Sequence, residues 1–240
     1  MNALVIIPTY NERENIPPLV EQLLQHDGVR VLVVDDHSPD GTGEVADRLA
    51  GQHPGRVEVL HRTARRGFGR SYVDGIKHAI TQGADLICQM DADFSHDPAR
   101  LPALLASAAD ADVVIGSRYV PGGSVVNWRR RRLLLSRFAN VYVRAITHVE
   151  VHDCTSGYRC WRRRALESLP LDELVSDGYS FLVEMLFVAA RQGRRIVEIP
   201  ITYVERREGQ SKMSRAVILE SAITPWRLIA SPKRARPTDR

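Results

Sequence analysis

Little in this sequence of 240 residues would staple the chain, span a bilayer or carry it out of the cell. Its three cysteines, Cys88, Cys154 and Cys160, are an odd number in a chain too large to need cross-links, which argues against a disulfide framework and for reduced thiols in a cytosolic setting. The Cys154/Cys160 spacing has no second pair, so a structural zinc is disfavoured, and no thiol has a placeable histidine and base, so thiol catalysis is disfavoured too. No uninterrupted apolar stretch approaches the roughly 18 residues a bilayer-crossing helix needs. Membrane contact must then be peripheral or made through a partner. The first apolar run, ALVIIPTY, flows into NERE without the basic flank and small-residue cleavage site of a secretion signal. Missing also are complete nucleotide fingerprints. RTARRGFGRS has no lysine-serine closure and no full Gly-x-Gly-x-x-Gly after a strand, which disfavours NAD and ATP-hydrolase chemistry. Gly67 and Gly69 are expected to permit close packing at a helix start, with Arg65 or Arg66 in reach of an anion.

What is present is a 44% apolar composition, enough for a compact core, and a net charge of +4 that is unevenly placed. From Arg118 to Arg164 eleven arginines face only Glu150 and Asp153. Such a block suits nucleic acid, anionic lipid or a phosphorylated substrate, and charge alone does not separate them. The run Arg129 to Arg132 followed by Leu133 to Leu135 fits a helix lying in a membrane interface. Contiguous leucines in place of spaced aromatics argue against nucleic acid.

Short apolar runs alternate with helical patterns along the first half. NALVIIPTYNE reads as a buried strand stopped by Pro8, ENIPPLVEQLLQH as a helix, RVLVVDD as a strand and GEVADRLAGQH as a helix. RVEVLHR, ADLICQMDA and ADVVIGSRY continue as strands, with GFGRSYVDGIKHAITQG and DPARLPALLASAA as helices between them. This pattern predicts an α/β fold with a mostly parallel central sheet covered on both faces. Beyond Tyr119 the texture changes to a basic amphipathic helix from Leu133 to Val149, a turn feeding a helix in DCTSGYRCWRRRALESL, and a stronger helix in DGYSFLVEMLFVAARQG that Gly193 would cap. RRIVEIPITYVERR reads as a strand pair or one bent strand, and SRAVILESAITPWRLIA as a last amphipathic helix. The expected organisation is one domain over residues 1–230, with 1–119 as a nucleotide and metal half and 120–230 as an acceptor and membrane-facing half. Residues 231–240 are expected to be a disordered tail.

In a parallel sheet ligands collect beyond the carboxyl ends of the strands, where PTYNE, VDDHSPDG, MDADFSH and GSRY all fall. Asp91 and Asp93, one residue apart, offer two hard oxygen ligands and leave most of an octahedral Mg2+ or Mn2+ shell for water and phosphate oxygens. The competing reading is an Asp-rich turn, since Asp97 and Pro98 start the next helix. Asp35 or Asp36 would accept from a ribose or base edge, or cap the following turn. Arg118 presents a guanidinium fork at the fourth strand end, and Arg206, Arg207 and Lys212 crowd a loop able to close over a diphosphate. His37 and His96 lie near the rim, where each is expected to serve a turn.

Taken together VIIPTYNE, VVDDHSPDGT, MDADFSHDP, VIGSRYVPGG, LSRFANVYVR, DCTSGYRC, DGYSFLVEM and RREGQSKM resemble the dolichol-phosphate (polyprenol-phosphate) mannose synthases, inverting family 2 glycosyltransferases with a GT-A fold, over residues 2 to about 230. The resemblance implies transfer of mannose from GDP-mannose to a polyprenyl phosphate at the cytoplasmic face of a membrane, with Mg2+ or Mn2+. It implies that Pro8, Tyr10, Glu12, Asp36 and Asp40 line the nucleotide pocket and that Asp91 and Asp93, with Ser95, hold the metal. Arg118 would approach the sugar phosphate, Ser136 and Arg137 would meet the lipid phosphate, and Arg206 and Lys212 would close over the donor diphosphate. Two positions depart from the family pattern: Arg70 and Ser71 within Gly-Arg-Ser-Tyr, and Leu182 where glutamine is common. The alternatives are a UDP-glucose-dependent polyprenyl-phosphate glucosyltransferase, a transferase acting on a saccharide, and a non-enzymatic lipid or nucleotide sensor. A separate membrane-anchoring protein is left open.

Overall fold

The computed structural model describes residues 2–63, 67–174, 176, 178–205 and 215–230. Strands β1 (Ala3–Thr9), β2 (Val29–Asp35), β3 (Val57–His61), β4 (Leu86–Gln89), β5 (Val113–Ser117), β7 (Arg159–Arg162) and β8 (Ile196–Pro200) form one sheet in the order β3-β2-β1-β4-β7-β5-β8. All pairings in it are parallel except those of β7, which runs antiparallel between β4 and β5. Strands β6 (Ser124–Val126) and β9 (Thr202–Val204) pair as a separate parallel ribbon.

The two faces of the sheet follow from the two-residue period of a strand. Leu4, Ile6, Leu32 and Val34 point into one core with α3 (Phe68–Thr81), α6 (Arg163–Glu167) and α7 (Gly178–Arg191). Ala3, Val5, Ile7, Val31 and Val33 point into the other with α1 (Ile16–Leu24), α2 (Thr42–Gln52) and α4 (Leu101–Ser107). Gly75 lets α3 lie directly on the sheet: a Cβ there would sit 2.7 Å from the Ile6 Cγ2 and 3.1 Å from the Val34 Cγ2. Gly75→Ala is therefore expected to lower stability by roughly 1–3 kcal/mol through overpacking, read as a lower urea midpoint at unchanged slope.

Pro8 does not stop β1, which runs one residue further. Met90 donates its N–H to the Ile6 carbonyl, so Pro8, two residues on, faces the same neighbour just past the end of its pairing, where a missing N–H costs no ladder bond. The larger correction concerns DCTSGYRCWRRRALESL. The expected helix is the short α6 from Arg163, but Arg159–Arg162 ahead of it is β7, in the centre of the sheet, with Cys88 opposite Cys160 and Ile87 opposite Trp161. The Arg159 side chain is completely buried and donates to the carbonyls of Ser156, Leu182 and Cys154 at 2.7–2.8 Å. Burial pulls its pKa down to about 10, which still leaves it charged. Trp161 donates its indole N–H to the Gln89 Oε1 at 2.8 Å. All three cysteines are buried and free.

The last helices, α5 (Arg130–Thr147) and α8 (Arg215–Ala230), pack against each other. Trp226 is 55% exposed and donates its indole N–H to the Tyr142 hydroxyl, which donates in turn to the Ala222 carbonyl. Leu134, Phe138 and Val141 on α5, and Ile223 and Ile229 on α8, are exposed beside it. No helix among the described residues is long and apolar enough to cross a membrane.

Candidate active site

The connections β1 to β2 to β3 step outward on one side, and the chain then returns to place β4 on the other side of β1. That reversal opens a crevice at the carboxyl ends of β1 and β4, the position where open α/β sheets bind ligands. Pro8 near the end of β1 and Tyr10 and Glu12 after it stand on one wall, Asp91 and Asp93 follow β4 on the other, and Asp36 and Asp40 follow β2.

The aspartates after β2 are satisfied from within the chain. Asp35 accepts from the Ser38 N–H at 3.1 Å, and its other oxygen takes the hydroxyls of Ser38 and Thr9. Asp36 forms an ion pair with buried Arg62 and accepts from the Gly67 N–H at 3.0 Å. Arg62 reaches Asp74 with its Nε at 2.7 Å. Asp40 accepts from the backbone and hydroxyl of Thr42 at 3.0 and 2.6 Å; burial pushes its pKa up, but these bonds and one from Arg13 bring it below the usual carboxylate value. The aspartates thus shape the rim before any ligand arrives, and Arg62 is a rim residue that sequence reasoning missed.

At β4 the turn and the paired carboxylates are neighbours. Asp97 accepts from the Ala99 N–H at 2.9 Å and Pro98 opens a 3₁₀ turn, so the helix-starting task belongs to them. Buried Asp93 accepts from the Ser95 N–H at 3.0 Å, and the carbonyl of fully buried Ser95 accepts from Val204 of β9. Phe94 between them has φ 58°, a left-handed conformation that costs a bulky residue about 1 kcal/mol or more. The Asp91 carboxylate lies against Gly157, where a Cβ would stand 3.6 Å from both oxygens. His96 does more than serve a turn: its Nδ1 accepts from the Asp91 N–H at 3.2 Å, and its ring stacks on Tyr158 and meets Tyr203 edge-on. Burial pulls His96 down to about 4, so it is neutral at physiological pH. Among the described residues no group of three or more His, Cys, Asp or Glu could hold a metal ion, so two hard carboxylates here could supply only part of a divalent ion's shell and would leave the rest to other oxygen donors.

Arg118 follows β5 but its fork is already occupied: Nε and one terminal nitrogen bind the two oxygens of Asp153 at 2.7 and 2.6 Å. The same terminal nitrogen reaches the Thr155 hydroxyl at 2.8 Å. The expected open fork is thus an ion pair at the edge of a second space, an apolar cavity of about 320 Å³ between α5, α7 and α8. Leu135, Phe138, Tyr142, Val143, Val183 and Pro225 give it apolar walls, and Arg118, Trp128, Arg132, Ser136 and Thr155 also line it. Ser136 accepts from the Tyr119 hydroxyl at 2.7 Å. Arg132, one turn before Ser136, shares its face of the helix. Arg137 does not line the cavity; it is exposed, 6.0 Å from the Tyr119 ring. Arg132 and Trp128 went unassigned because a run of four arginines does not show which one faces inward. The i, i+4 relation of Arg132 to Ser136 was the available signal for Arg132. Arg65, Arg66, Arg206, Arg207, Lys212 and the tail 231–240 lie outside the described residues.

A largely parallel sheet with an antiparallel strand next to its switch point, carrying paired aspartates at that rim, defines a GT-A-type glycosyltransferase. The chain belongs to glycosyl transferase family 2, which it matches over residues 4–169. It is 48% identical to polyprenol monophosphomannose synthase of Mycolicibacterium smegmatis, over 98% of this chain and 90% of that protein. It is 47% identical to undecaprenyl-phosphate mannosyltransferase of Micrococcus luteus, over 96% of each. Among solved structures, glucosyl-3-phosphoglycerate synthase of Mycobacterium tuberculosis with Mn2+, uridine-diphosphate-glucose and phosphoglyceric acid superposes at TM-score 0.69 with 19% identity, covering 93% of this chain and 79% of that one. That likeness speaks for the fold.

Proposed function

We propose that this protein transfers mannose from GDP-mannose to a polyprenyl phosphate, with inversion, giving polyprenyl β-mannosyl phosphate and GDP. The observation that carries the acceptor is the apolar cavity with Arg132 and Ser136 at its lining: an amphiphilic anion needs a cation and a hydrogen-bond donor at one end and a dry slot behind them. Two relatives at 47–48% identity bear names that describe polyprenyl-phosphate mannose transfer. The exposed apolar residues of α5 and α8, beside the arginines of α5, suit the surface of the membrane in which such an acceptor resides, at its cytoplasmic face.

The donor would enter at the β1/β4 crevice, its nucleotide along Pro8, Tyr10, Glu12 and the Asp36–Asp40 turn. Asp91 and Asp93 would hold Mg2+ or Mn2+, with the Ser95 segment fixing Asp93. A bound divalent ion supplies charge neutralisation to the departing diphosphate. Arg132 and Ser136 orient the acceptor phosphate, whose oxygen attacks the anomeric carbon from the face opposite the diphosphate. The new carbon–oxygen bond forms as the old one breaks, and the electron pair leaves on GDP. The phosphate nucleophile is already anionic near neutral pH, so no side chain need remove a proton.

The test incubates the protein with polyprenyl phosphate, a divalent ion and either GDP-mannose or UDP-glucose, and identifies the lipid product. Mannosyl lipid from GDP-mannose is expected. Product from UDP-glucose alone would move the protein to the glucosyl transferases, and none from either donor would remove the transferase reading. Arg132→Ala is expected to raise the acceptor KM about tenfold or more, by loss of a charge-assisted bond, with the GDP-mannose KM within twofold. Arg137→Ala should do less, and the reverse order would return the acceptor phosphate to Arg137.

A further inference from the structure

We propose that Trp128 is a positioning residue for the acceptor phosphate, holding Arg132 in place through the face of its indole; the proposal rests on the lipid-phosphate reading above. The Arg132 guanidinium carbon lies 4.0 Å from the centroid of the Trp128 ring, close enough for a strong cation–π contact. Arg118 sits 5.6 Å from the same ring, and Tyr203 meets it edge-on at 5.3 Å. Trp128 thus lies within reach of two guanidiniums, one locked to Asp153 and the other on the first turn of α5. The indole nitrogen is shielded from solvent with no hydrogen-bond partner among the described residues, so the ring acts here through its face and not through its N–H.

Arg132 has a second contact, an ion pair with Glu205 at 2.8 Å. The two contacts differ in what an incoming phosphate does to them. A carboxylate competes with phosphate for the guanidinium, because both offer anionic oxygens to the same donors. A ring face offers only its quadrupole, leaves the N–H edge free and neutralises nothing. Trp128 therefore holds the cation against the cavity while its donors turn from Glu205 to the acceptor. Arg side chains carry large rotamer freedom, and removing the ring would return that freedom to Arg132 as a weaker acceptor site.

The experiment uses the full chain with farnesyl phosphate as acceptor and GDP-mannose as donor, in Trp128→Phe and Trp128→Leu, each alone and combined with Arg132→Met. Trp128→Leu is expected to raise the acceptor KM about five- to tenfold, with the GDP-mannose KM and the melting temperature little changed. Trp128→Phe, which keeps a smaller aromatic face while losing one ring and the unbonded N–H, should retain more of the affinity than Trp128→Leu. In the Arg132→Met background Trp128→Leu should add nothing, since its effect runs through that guanidinium. Equal costs in both backgrounds, equal losses in Phe and Leu, or a matching rise in the GDP-mannose KM would each overturn the assignment. An active wild type with an unaffected Trp128→Leu sinks this proposal alone, whereas a wild type that makes no mannosyl lipid removes the reading beneath it.

Discussion

Asp91→Asn and Asp93→Asn are each expected to lower kcat by about 10³-fold while leaving the fold intact. Losing one charged ligand of a divalent ion removes several kcal/mol of leaving-group stabilisation, and each 1.4 kcal/mol is a factor of ten. Amide and carboxylate are nearly isosteric, so Asp91 keeps its fit over Gly157 and Asp93 keeps an oxygen for the Ser95 N–H. Far-UV circular dichroism and melting temperature are expected to match wild type. Chelation should silence the wild-type enzyme, and adding Mg2+ or Mn2+ should restore it but not the variants. A rate within tenfold of wild type in either variant, or full wild-type activity after exhaustive chelation, would contradict the assignment of this pair to a metal.

The strands of the first half were legible because each is a short β-branched run whose period of two matches the burial of both sheet faces, as in ALVII and VLVV. The β4 turn was legible for another reason: Asp97-Pro98 has a local capping logic that needs no tertiary knowledge. What stayed hidden depends on distant partners. RCWR does not read as a central strand, because arginine is seldom fully buried; it is tolerated here since three carbonyls, that of Leu182 on α7 and those of Cys154 and Ser156 in the turn before it, converge on Arg159. Arg118 looks like a phosphate fork at a strand end, and only the fold brings Asp153 to it. Asp36 reads as a rim carboxylate, and only the fold shows that Arg62, 26 residues away, is paired with it. Of the four arginines from Arg129 to Arg132, only the fold shows that Arg132 lies against Trp128 and lines the cavity.

β9 ties these parts together. Its Val204 donates to the Ser95 carbonyl, and Glu205 both donates its N–H to the Val126 carbonyl and pairs with Arg132. The segment carrying the paired aspartates and the helix carrying the proposed acceptor residues are thereby braced by one short ribbon. Transfer in line requires that the donor and acceptor phosphates be held at a fixed separation, and a misplacement of 1 Å costs roughly 10²-fold. A ribbon attached to both is a means of fixing it.

Asp153→Ala is expected to destabilise the protein by about 3–5 kcal/mol, through what it strands and not only through what it removes. Asp153 is fully buried and Arg118 is 7% exposed, so neither charge has water to fall back on. Burial pushes the Asp153 pKa up, but the Arg118 charge and its side-chain and backbone bonds overcome this and hold the carboxyl below its ordinary value. Burial likewise works against the charge on Arg118, and Asp153 more than restores it. Taking away the carboxylate leaves a guanidinium among Tyr119, Trp128 and Tyr203 with Thr155 as a neutral partner. For a chain of this length the melting temperature should fall by roughly 10 °C. Asp153→Asn keeps the shape and deletes the charge, and its pH dependence isolates the ion pair. A carboxyl whose folded pKa is depressed contributes stability above its unfolded pKa, about 3.9, and loses that contribution as pH falls toward the folded value. The stability gap between wild type and Asp153→Asn should therefore be constant from neutrality to about pH 5 and close progressively below about pH 4. Equilibrium urea unfolding across that range measures it, and a variant as stable as wild type at pH 7 would show that the pair does not hold this edge of the cavity together.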